Sequence, residues 1–460
     1  MNTLPPALIR SLQHAKGFDE ETFRAVHEQG GQITSVRRNP GKTFNVQHSI
    51  FNSSLEAVPW SSNGYYLPGR PSFTSDPLFH AGAYYVQEAS SMFLEEALKQ
   101  AVDLTQPLRV LDLCAAPGGK STLLQSVLAR DSLLVSNEVI KTRVTILAEN
   151  ISKWGTVNVV VTNNDPKDFQ RLENYFDLVV VDAPCSGSGL FRKDPAAIAE
   201  WSENNVALCA QRQQRILADI MPALKEGGIL IYSTCSYSPE EDEEIADWLL
   251  EEFKVESVKL NVKEAWGIIE TVSAKYNSPG YRFYPGRVQG EGFFIAAFRK
   301  AGNSPGVQRQ KVKTKKDTEG VTKKELDVIR PFLAEADGFF FFRQHEQVIA
   351  MPRGMEDDLK LLQASLYIKK AGIRTGAVIR DELVPEHEFA VSTIISHTVK
   401  RFEVDTETAL KYLRREEIKI DTGDKGWALI CFGHLPLGWI KLLGNRINNY
   451  YPANWRILNR

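Results

Sequence analysis

The sequence of 460 residues is long enough for about two to four domains with separate hydrophobic cores. Its hydrophobic fraction of 43% and charged fraction of 24% are typical of a globular protein, and no apolar run approaches the roughly 20 residues of a membrane helix. The formal net charge of -2 excludes a uniformly basic surface, so a polyanion would have to bind a local cluster of cations.

The first residues and the cysteines indicate the compartment. The start, MNTLPPALIRSLQ, lacks the basic segment, apolar stretch and cleavage site of a secretory signal, which predicts a cytoplasmic protein. None of the cysteines stands in CxxC spacing, so we expect no disulfide framework and no metal site. The five cysteines are Cys114, Cys185, Cys209, Cys235 and Cys431.

Residues 1–92 predict a small α+β module. Helical patterning in LPPALIRSLQ and FDEETFRAVHEQ is followed by turn-rich aromatic segments. Arg37 and Arg38 are equally compatible with contacts to phosphate and with an ordinary solvated surface.

Residues 93–300 alternate short apolar runs with helix-like segments. The runs are LRVLDL, LLVSNE, VNVVVTN, YFDLVVVDAP, GGILIYST and GFFIAAF. Such alternation is typical of an α/β domain built on a parallel sheet.

The C-terminal third predicts a linker and one or two compact modules. Residues 301–324 are rich in glycine and cations and poor in apolar residues, which favours a basic linker. Strand-like and turn-like segments follow, and we divide them into an accessory module at 325–390 and a last module at 391–460.

Several strand ends of the predicted sheet carry small or acidic residues. A turn of small residues, 115–118, follows Asp112, and Glu138, Asp165 and Asp182 follow the next strands. Ligands of open α/β sheets bind at the carboxyl ends of the strands, so these groups should converge on one cleft. Each carboxylate alone could merely cap a helix or a turn, but all of them together favour a ligand site.

The cofactor class follows from the turn and from Glu138. An acid about 20 residues after a glycine turn suits a ribose diol. The turn reads AAPGGK and matches neither GxGxxG nor the GxxxxGK[ST] phosphate loop. S-adenosylmethionine, which contains adenosine and no phosphate, therefore fits better than a dinucleotide or a nucleoside triphosphate.

Two loops bring cysteines to the same cleft. DAPCSGSG, 182–189, contains Cys185, and YSTCSYSPEEDEE, 232–244, contains Cys235. Both loops follow strand ends and are rich in serine, glycine and proline, where a thiol can be reactive. Cys209 and Cys431 lack this placement and are interpreted as small buried apolar residues.

Taken together, these motifs resemble the NOL1/NOP2/Sun family of RNA 5-methylcytosine methyltransferases. LDLCAAPGGK, the acidic NE, DAPCSGSG, YSTCSYSPEE and GEGFFIA appear in the family's order, and YYVQEASSM at 84–92 extends the likeness over about residues 30–300. The resemblance implies a Rossmann-like class I methyltransferase core with a seven-stranded, mostly parallel sheet. It assigns cofactor binding to Cys114, Ala115, Ala116, Pro117, Gly118, Gly119, Lys120, Glu138, Asp165 and Asp182.

The same resemblance implies catalytic roles. Cys235 matches the family's nucleophile, and Cys185 matches the cysteine that assists release of methylated RNA. Asp182, with Lys120 nearby, is the expected contact to N3 of the base, and Asp182 could act as an acid only with a raised pKa. The sequence departs from the family at Asp242, where many members have asparagine, so the contacts of this residue are uncertain.

The chemistry explains why a thiol is needed. Carbon 5 of cytosine is too weak a nucleophile to attack a methyl sulfonium directly, and a thiolate that adds to carbon 6 activates it. The ring must be unpaired or extruded to be attacked, so we expect the modules outside the catalytic domain to bind RNA.

The last 36 residues combine cations and aromatic side chains and contain no acidic residue. Such a composition suits RNA, although the aromatic residues could equally form a core. The segment resembles the PUA-like C-terminal module of bacterial RsmF (YebU)-type enzymes. This resemblance implies 16S rRNA or the 30S subunit as substrate. We further expect the protein to be a monomer that binds neither DNA nor membranes. The residues are Lys425, Lys441, Arg446, Arg456 and Arg460, with Trp427, Phe432, Trp439, Tyr450, Tyr451 and Trp455.

Two other functions stay open from the sequence. A tRNA cytosine-5 methyltransferase would use the same catalytic motifs. An RNA-binding ribosome-assembly factor without catalysis is a second alternative, against which the intact Cys185, Cys235, Asp182 and cofactor turn argue. The cations of the linker are as compatible with solvent as with phosphate; they are Arg309, Lys311, Lys313, Lys315 and Lys316.

Overall fold

The computed structural model describes residues 4–51, 54–302, 320–444 and 446–458. The cations predicted for the linker, Arg309 to Lys316, lie outside the described residues. Within them, the α-helices are α1 Pro6–Leu12, α2 Glu20–Gln29, α3 Pro77–His80, α4 Leu94–Ala101, α5 Gly119–Val127, α6 Lys141–Trp154, α7 Ala196–Glu200, α8 Glu203–Ile220, α9 Glu243–Glu252, α10 Lys323–Ile329, α11 Glu356–Ser365, α12 His387–Ala390 and α13 Thr406–Arg414. No helix of this described part is long and apolar enough to cross a membrane.

The strands form four sheets. They are β1 Thr34–Arg38, β2 Gly64–Leu67, β3 Tyr84–Val86, β4 Arg109–Asp112, β5 Leu133–Asn137, β6 Val159–Thr162, β7 Phe176–Asp182, β8 Leu224–Thr234, β9 Val255–Val258, β10 Ile269–Val272, β11 Pro279–Phe283, β12 Phe293–Lys300, β13 Phe339–Gln344, β14 Gln347–Pro352, β15 Ile368–Ala371, β16 Ile373–Ile379, β17 Glu382–Pro385, β18 Arg401–Glu403, β19 Lys425–Phe432, β20 Leu435–Leu443 and β21 Ile447–Asn449.

The central sheet confirms the Rossmann-like α/β core. Its order is β10-β11-β12-β8-β7-β4-β5-β6-β15, with β9 paired to β12. The five strands from β8 to β6 are parallel, and the pairings outside them are antiparallel. The parallel strands are covered on both faces, which is why they are nearly continuous apolar runs; Val159, Val160 and Val161 are all fully buried.

The sheet is larger than the seven strands expected. Ten strands take part, because β9 and β10 extend one end and β15 is added to the other. β15 comes from the segment predicted as an accessory module, and it pairs antiparallel with β6. The side chains of Met355, Leu359 and Leu362 from the same segment pack into the core on one face of this sheet.

The outer modules also share cores with their neighbours. The N-terminal sheet β2-β1-β3 follows α1 and α2, in agreement with the predicted α+β module. Its Val36 and Tyr84 belong to the same apolar cluster as Tyr412 and Tyr451 of the C-terminal module. The C-terminal segment contains the sheets β13-β14-β16-β17 and β18-β19-β20-β21.

Candidate active site

The turn after β4 is shaped to approach a ligand closely. It ends at Gly118, whose φ of 120° is a conformation that disfavours a side chain, and α5 starts at the next residue without a side-chain cap. The turn is held from outside by Arg143, which donates to the Ala116 carbonyl at 2.7 Å, and by Asn150, which donates to the Pro117 carbonyl at 2.8 Å. The free amides at the start of α5 can therefore bind a negatively charged group.

Asp112, the last residue of β4, is a buried carboxyl group that the sequence analysis did not select. Its Oδ2 accepts a hydrogen bond from Ser121 at 2.7 Å, whereas its Oδ1 has no partner among the described residues. Burial raises the pKa of Asp112 to about 7. An unpaired carboxyl oxygen below the turn is a candidate contact for a polar group of a ligand.

Glu138 follows β5 and is accompanied by exposed apolar residues. Its Oε1 accepts from the Ile140 amide at 2.9 Å, and Arg143 lies 3.5 Å from its Oε2. Val139 and Ile140 are 53% and 47% exposed, which is unusual beside a buried carboxylate. A ribose bound to Glu138 and an aromatic ring packed on these side chains would explain both features.

Asn137, which precedes Glu138, ties the strand ends together. Its Nδ2 donates to the carbonyls of Leu113 at 3.1 Å and Asn164 at 3.0 Å, and its Oδ1 accepts from Thr162 at 2.9 Å. It thereby links β4, β5 and β6 at the level of the cleft. The polar pair Ser136 and Asn137 at the end of the apolar strand LLVSN was the available sequence signal.

Asp165 has a structural role, and its contact to the cofactor stays a prediction. Its Oδ1 accepts from the Lys167 amide at 3.2 Å and so caps the short helix that follows, which is the capping alternative left open above. Its Oδ2 lies 3.7 Å from Arg215.

Lys120 and Asp182 meet in the cleft. The Lys120 Nζ lies 2.7 Å from Asp182 Oδ2, and Ser233 donates to Asp182 Oδ1 at 2.8 Å. The Lys120 ammonium also lies 5.1 Å from the ring centroid of Phe293 in the GEGFF segment. The side chain of Lys120 is 10% exposed and that of Asp182 is 37% exposed, so the pair faces the cleft from its wall.

Cys185 and Cys235 lie side by side, with their sulfur atoms 3.0 Å apart. The register of the sheet causes this, because β7 and β8 are parallel and pair Asp182 with Ser233 directly below the two loops. The hydrogen bond with the Cys235 sulfur, together with burial, raises the pKa of Cys185 well above its ordinary value. Cys185 is therefore held as a neutral thiol in hydrogen-bond contact with the Cys235 sulfur.

The other cysteines lie in different environments. Burial and the nearby carboxylates raise the pKa of Cys114, which makes it a poor nucleophile. Cys209 and Cys431 are buried, as predicted. Among the described residues there is no group of three or more side chains that could hold a metal ion.

Glu241 holds both cysteine loops, a role that its place in the acidic run PEEDEE did not reveal. Its Oε1 accepts from the Ser186 amide at 2.8 Å, and its Oε2 accepts from the hydroxyls of Ser186 and Ser236 at 2.5 and 2.6 Å. Ser186 follows Cys185 and Ser236 follows Cys235, so one buried carboxylate fixes the residue after each cysteine.

Asp242, the departure from the family, is buried behind Cys235. Thr234 donates to its Oδ1 at 2.6 Å, and Arg282 lies 3.1 Å from its Oδ2. Burial raises the pKa of Asp242. The residue therefore stabilises the strand end before Cys235 and does not face the cleft.

The candidate RNA-binding residues divide into two groups. Arg37 is 1% exposed and donates hydrogen bonds to Gln87 and Thr122. The predictions that Arg37 contacts phosphate or lies on a solvated surface are therefore both wrong. Trp439, Tyr451 and Phe432 are core residues, as the alternative for the aromatic set foresaw.

Trp427 and Tyr450 remain accessible and form a small cluster. Their ring centroids lie 4.5 Å apart, Tyr450 is 40% exposed, and Lys441 Nζ lies 5.1 Å from the centroid of Trp427. The cluster offers the cation and the aromatic surfaces that a nucleotide requires.

Comparison with known families gives three matches in chain order. Residues 4–89 match the N-terminal domain of 16S rRNA methyltransferase RsmF, residues 99–299 match 16S rRNA methyltransferase RsmB/F, and residues 399–457 match the RsmF PUA domain.

Whole-chain relatives agree with these matches. The ribosomal RNA small subunit methyltransferase F of Aliivibrio fischeri strain MJ11 is 30% identical over 428 residues, covering 90% of this chain and 88% of that protein. The protein of the same name from Cronobacter sakazakii is 30% identical over 469 residues, covering 98% and 95%.

Two solved structures from Pyrococcus horikoshii are similar to about two thirds of the molecule. A methyltransferase homologue is 29% identical, with 65% of this chain and all of that chain covered and a TM-score of 0.51. NSun6, solved with SFG, covers 65% of this chain and 99% of its own at 18% identity and a TM-score of 0.52, which supports the fold alone.

Proposed function

The chain belongs to the RsmB/F family of 16S rRNA methyltransferases, and on this basis we propose that it transfers a methyl group from S-adenosylmethionine to carbon 5 of cytidine in 16S rRNA. The observation that carries the cytosine-5 chemistry is the pair of sulfur atoms 3.0 Å apart beside Lys120 and Asp182. A second thiol beside the nucleophile can exchange protons during the breakdown of a covalent adduct, a step that methyl transfer without an adduct does not contain.

The residues of the cleft fit the cofactor. Glu138 suits the ribose diol, the apolar Val139 and Ile140 suit the adenine ring, and the unpaired Oδ1 of Asp112 can accept from the ammonium group. The amides that start α5 suit the carboxylate. When bound, S-adenosylmethionine supplies an electrophilic methyl group on a sulfonium.

Activation of the base falls to Cys235. Its sulfur adds to carbon 6 of the cytosine, and the electron pair of the 5,6 double bond is pushed onto carbon 5, which takes the methyl group. Asp182 and Lys120, paired at 2.7 Å, are together the proposed contact to the N3 edge of the base, in place of Asp182 alone. Lys120 has ammonium protons that can be donated to N3, and the Asp182 carboxylate can accept from the adjacent exocyclic amino group. The ion pair between the two residues holds them in one orientation before the base arrives.

Release of the product falls to Cys185. The proton on carbon 5 must leave and the bond between Cys235 and carbon 6 must break, which restores the aromatic ring. Cys185 is next to Cys235 and is a neutral thiol, so it can give its proton to the departing Cys235 sulfur. The Cys185 thiolate that this leaves can take the proton from carbon 5, which returns both cysteines to the thiol form. Loss of Cys185 should therefore trap the adduct.

The binding of RNA is assigned to the outer modules. Trp427, Tyr450 and Lys441 form the candidate contact surface on the PUA domain. An assembled 30S subunit as the substrate, a monomeric enzyme and a cytoplasmic location are parts of the same proposal.

The test is methyl transfer from radiolabelled S-adenosylmethionine to separate preparations of 16S rRNA, 30S subunits and tRNA, followed by digestion to nucleosides. We expect labelled 5-methylcytidine from the ribosomal substrates. Label in tRNA alone would support the tRNA alternative, and binding of rRNA without label in any sample would support an assembly factor. In either case the proposed function would be wrong.

A further inference from the structure

Asn164 joins the catalytic domain to the segment predicted as a separate accessory module. It lies between β6 and Asp165 and is 7% exposed. Its Nδ2 donates to the Tyr367 carbonyl at 3.0 Å, and its Oδ1 accepts from the Tyr367 amide at 2.9 Å. The Asn163 amide donates to the same carbonyl at 3.2 Å. These reciprocal bonds fix the strand end against Tyr367 in one orientation.

On its other side Asn164 is bonded to Asn137. The Asn164 amide donates to Asn137 Oδ1 at 3.0 Å, and Asn137 Nδ2 donates to the Asn164 carbonyl at the same distance. Asn137 in turn reaches the Leu113 carbonyl, directly before the cofactor turn. A continuous series of hydrogen bonds thus runs from Tyr367 through Asn164 and Asn137 to the turn.

The segment that carries Tyr367 is anchored firmly enough to act as a support. Leu366 and Ala371, at its two ends, are 8% and 3% exposed and belong to the core of the central sheet. β15 pairs with β6 from Ile368 onward. The backbone of Tyr367 is therefore fixed, although its side chain is 64% exposed.

We infer that residues 365–371 are a structural part of the cofactor site and that Asn164 is a positioning residue for it. Asn164 holds Asp165 and, through Asn137, the turn at Leu113 in the arrangement that binds the cofactor. The inference rests on the proposed role of Asp165 and of the turn. Loops that must be ordered by the ligand bind it more weakly than loops ordered beforehand, because part of the binding free energy is spent on ordering them.

The first test is calorimetric titration of the full chain with S-adenosylmethionine. Asn164→Ala removes both side-chain bonds to Tyr367, and we expect its Kd for the cofactor to rise about tenfold. The matched control is Asn158→Ala. Asn158 lies at the opposite end of β6 and donates to the Ser132 carbonyl at 2.8 Å, so this variant loses a similar bond between strands far from the cleft and should bind within about twofold of the wild type.

A second pair of variants changes Tyr367, the hydrogen-bond partner of Asn164. Tyr367→Pro removes the amide that donates to Asn164 and keeps the carbonyl, and Leu366 has the extended conformation that a following proline needs, with φ -131° and ψ 155°. Tyr367→Ala removes only the exposed ring. Because only the proline variant loses the amide bond to Asn164, we expect it to bind the cofactor more weakly than the alanine variant.

Kinetics separate positioning from a general loss of structure. At saturating S-adenosylmethionine, Asn164→Ala should recover the wild-type kcat, with the defect confined to the KM for the cofactor. Wild-type affinity in both Asn164→Ala and Tyr367→Pro, or a tenfold loss in Asn158→Ala as well, would overturn the inference while leaving the proposed reaction intact. A wild-type protein that binds no S-adenosylmethionine would instead overturn the proposed function.

Discussion

At the scale of single residues, the surroundings of each polar group in the cleft determine the task that the group can perform. Cys185 and Cys235 are three residues and two residues beyond a directly paired couple, Asp182 and Ser233. Because both cysteines follow so closely after this residue pair, their sulfur atoms lie 3.0 Å apart. The contact with the Cys235 sulfur, together with burial, raises the pKa of Cys185, so Cys185 is held as a neutral thiol.

Removing either member of the Lys120 and Asp182 pair should slow methyl transfer. We expect Lys120→Ala and Asp182→Asn to lower kcat by about 100-fold to 10,000-fold, because the base loses the groups that stabilise charge on its ring. The control is Lys99→Ala, which breaks an ion pair with Glu95 of similar length, 2.7 Å, outside the cleft. Steady-state rates with saturating RNA provide the measurement, and an unchanged kcat in Lys120→Ala would show that the pair is not catalytic.

At the scale of elements, buried polar side chains set the relative positions of loops and strands. Glu241 fixes both cysteine loops, and Arg37 fixes β1 against α5. The guanidinium of Arg37 donates to Gln87 Oε1 at 2.7 Å, Thr122 Oγ1 at 2.6 Å and Ser126 Oγ at 2.9 Å.

Glu241→Gln should misplace the cysteine loops without unfolding the protein. Glutamine has one acceptor oxygen and one NH2 donor, so it cannot accept both from the Ser186 amide at the Oε1 position and from the Ser186 and Ser236 hydroxyls at the Oε2 position. One of these two sets of bonds is therefore lost or reversed. We expect kcat to fall about tenfold or more, since small displacements of reacting groups are costly. Single-turnover kinetics measure the effect, and Glu240→Gln, an adjacent change without these bonds, is the control. Equal rates in the two variants would contradict the role of Glu241.

Arg37→Met should destabilise the molecule by about 3 kcal/mol, because several buried acceptors lose their donor. Arg38→Met is the matched control. Arg38 is only half-buried and lies over the ring of Phe44, so its loss should cost less than about 1 kcal/mol. Urea unfolding followed by circular dichroism compares the two, and similar losses would argue against a buried anchoring role for Arg37.

The sequence predicted those elements whose signal is local. Buried strands such as LVVV are nearly continuous apolar runs, and the cysteine loops are marked by small residues. The addition of β15 to the sheet was not predictable, because IKKA is a short polar strand whose partner β6 lies about 200 residues earlier. The burial of Arg37 was hidden for the same reason, since its acceptors lie 50 to 89 positions away along the chain.

At the scale of the whole molecule, the modules share apolar cores. His387 lies where they meet: its ring contacts Tyr451 and Trp455 edge-on, and its two nitrogens have no hydrogen-bond partner among the described residues. Burial, and then the charges of Lys153, Lys42 and His80, lower the pKa of His387 to about 3.

The stability of the native state should therefore fall in acid. The unfolded chain protonates this histidine near its ordinary pKa of about 6.5, whereas the folded chain does so only near 3, so stability is complete above pH 6.5 and declines as the pH falls towards 3. His387→Phe should reduce this decline, because phenylalanine fills the space without a titrating group. Thermal unfolding of both proteins between pH 7.5 and pH 5 is the measurement, and identical pH dependences would contradict a buried neutral His387.

The most direct test of the central claim, attack by Cys235 and release through Cys185, is a denaturing gel of the enzyme incubated with S-adenosylmethionine and its rRNA substrate. Cys185→Ala should show a slowly migrating covalent adduct between protein and RNA. Cys235→Ala and the double variant should show neither adduct nor methyl transfer. Full methyl transfer by Cys235→Ala, or an adduct that persists in the double variant, would contradict the account.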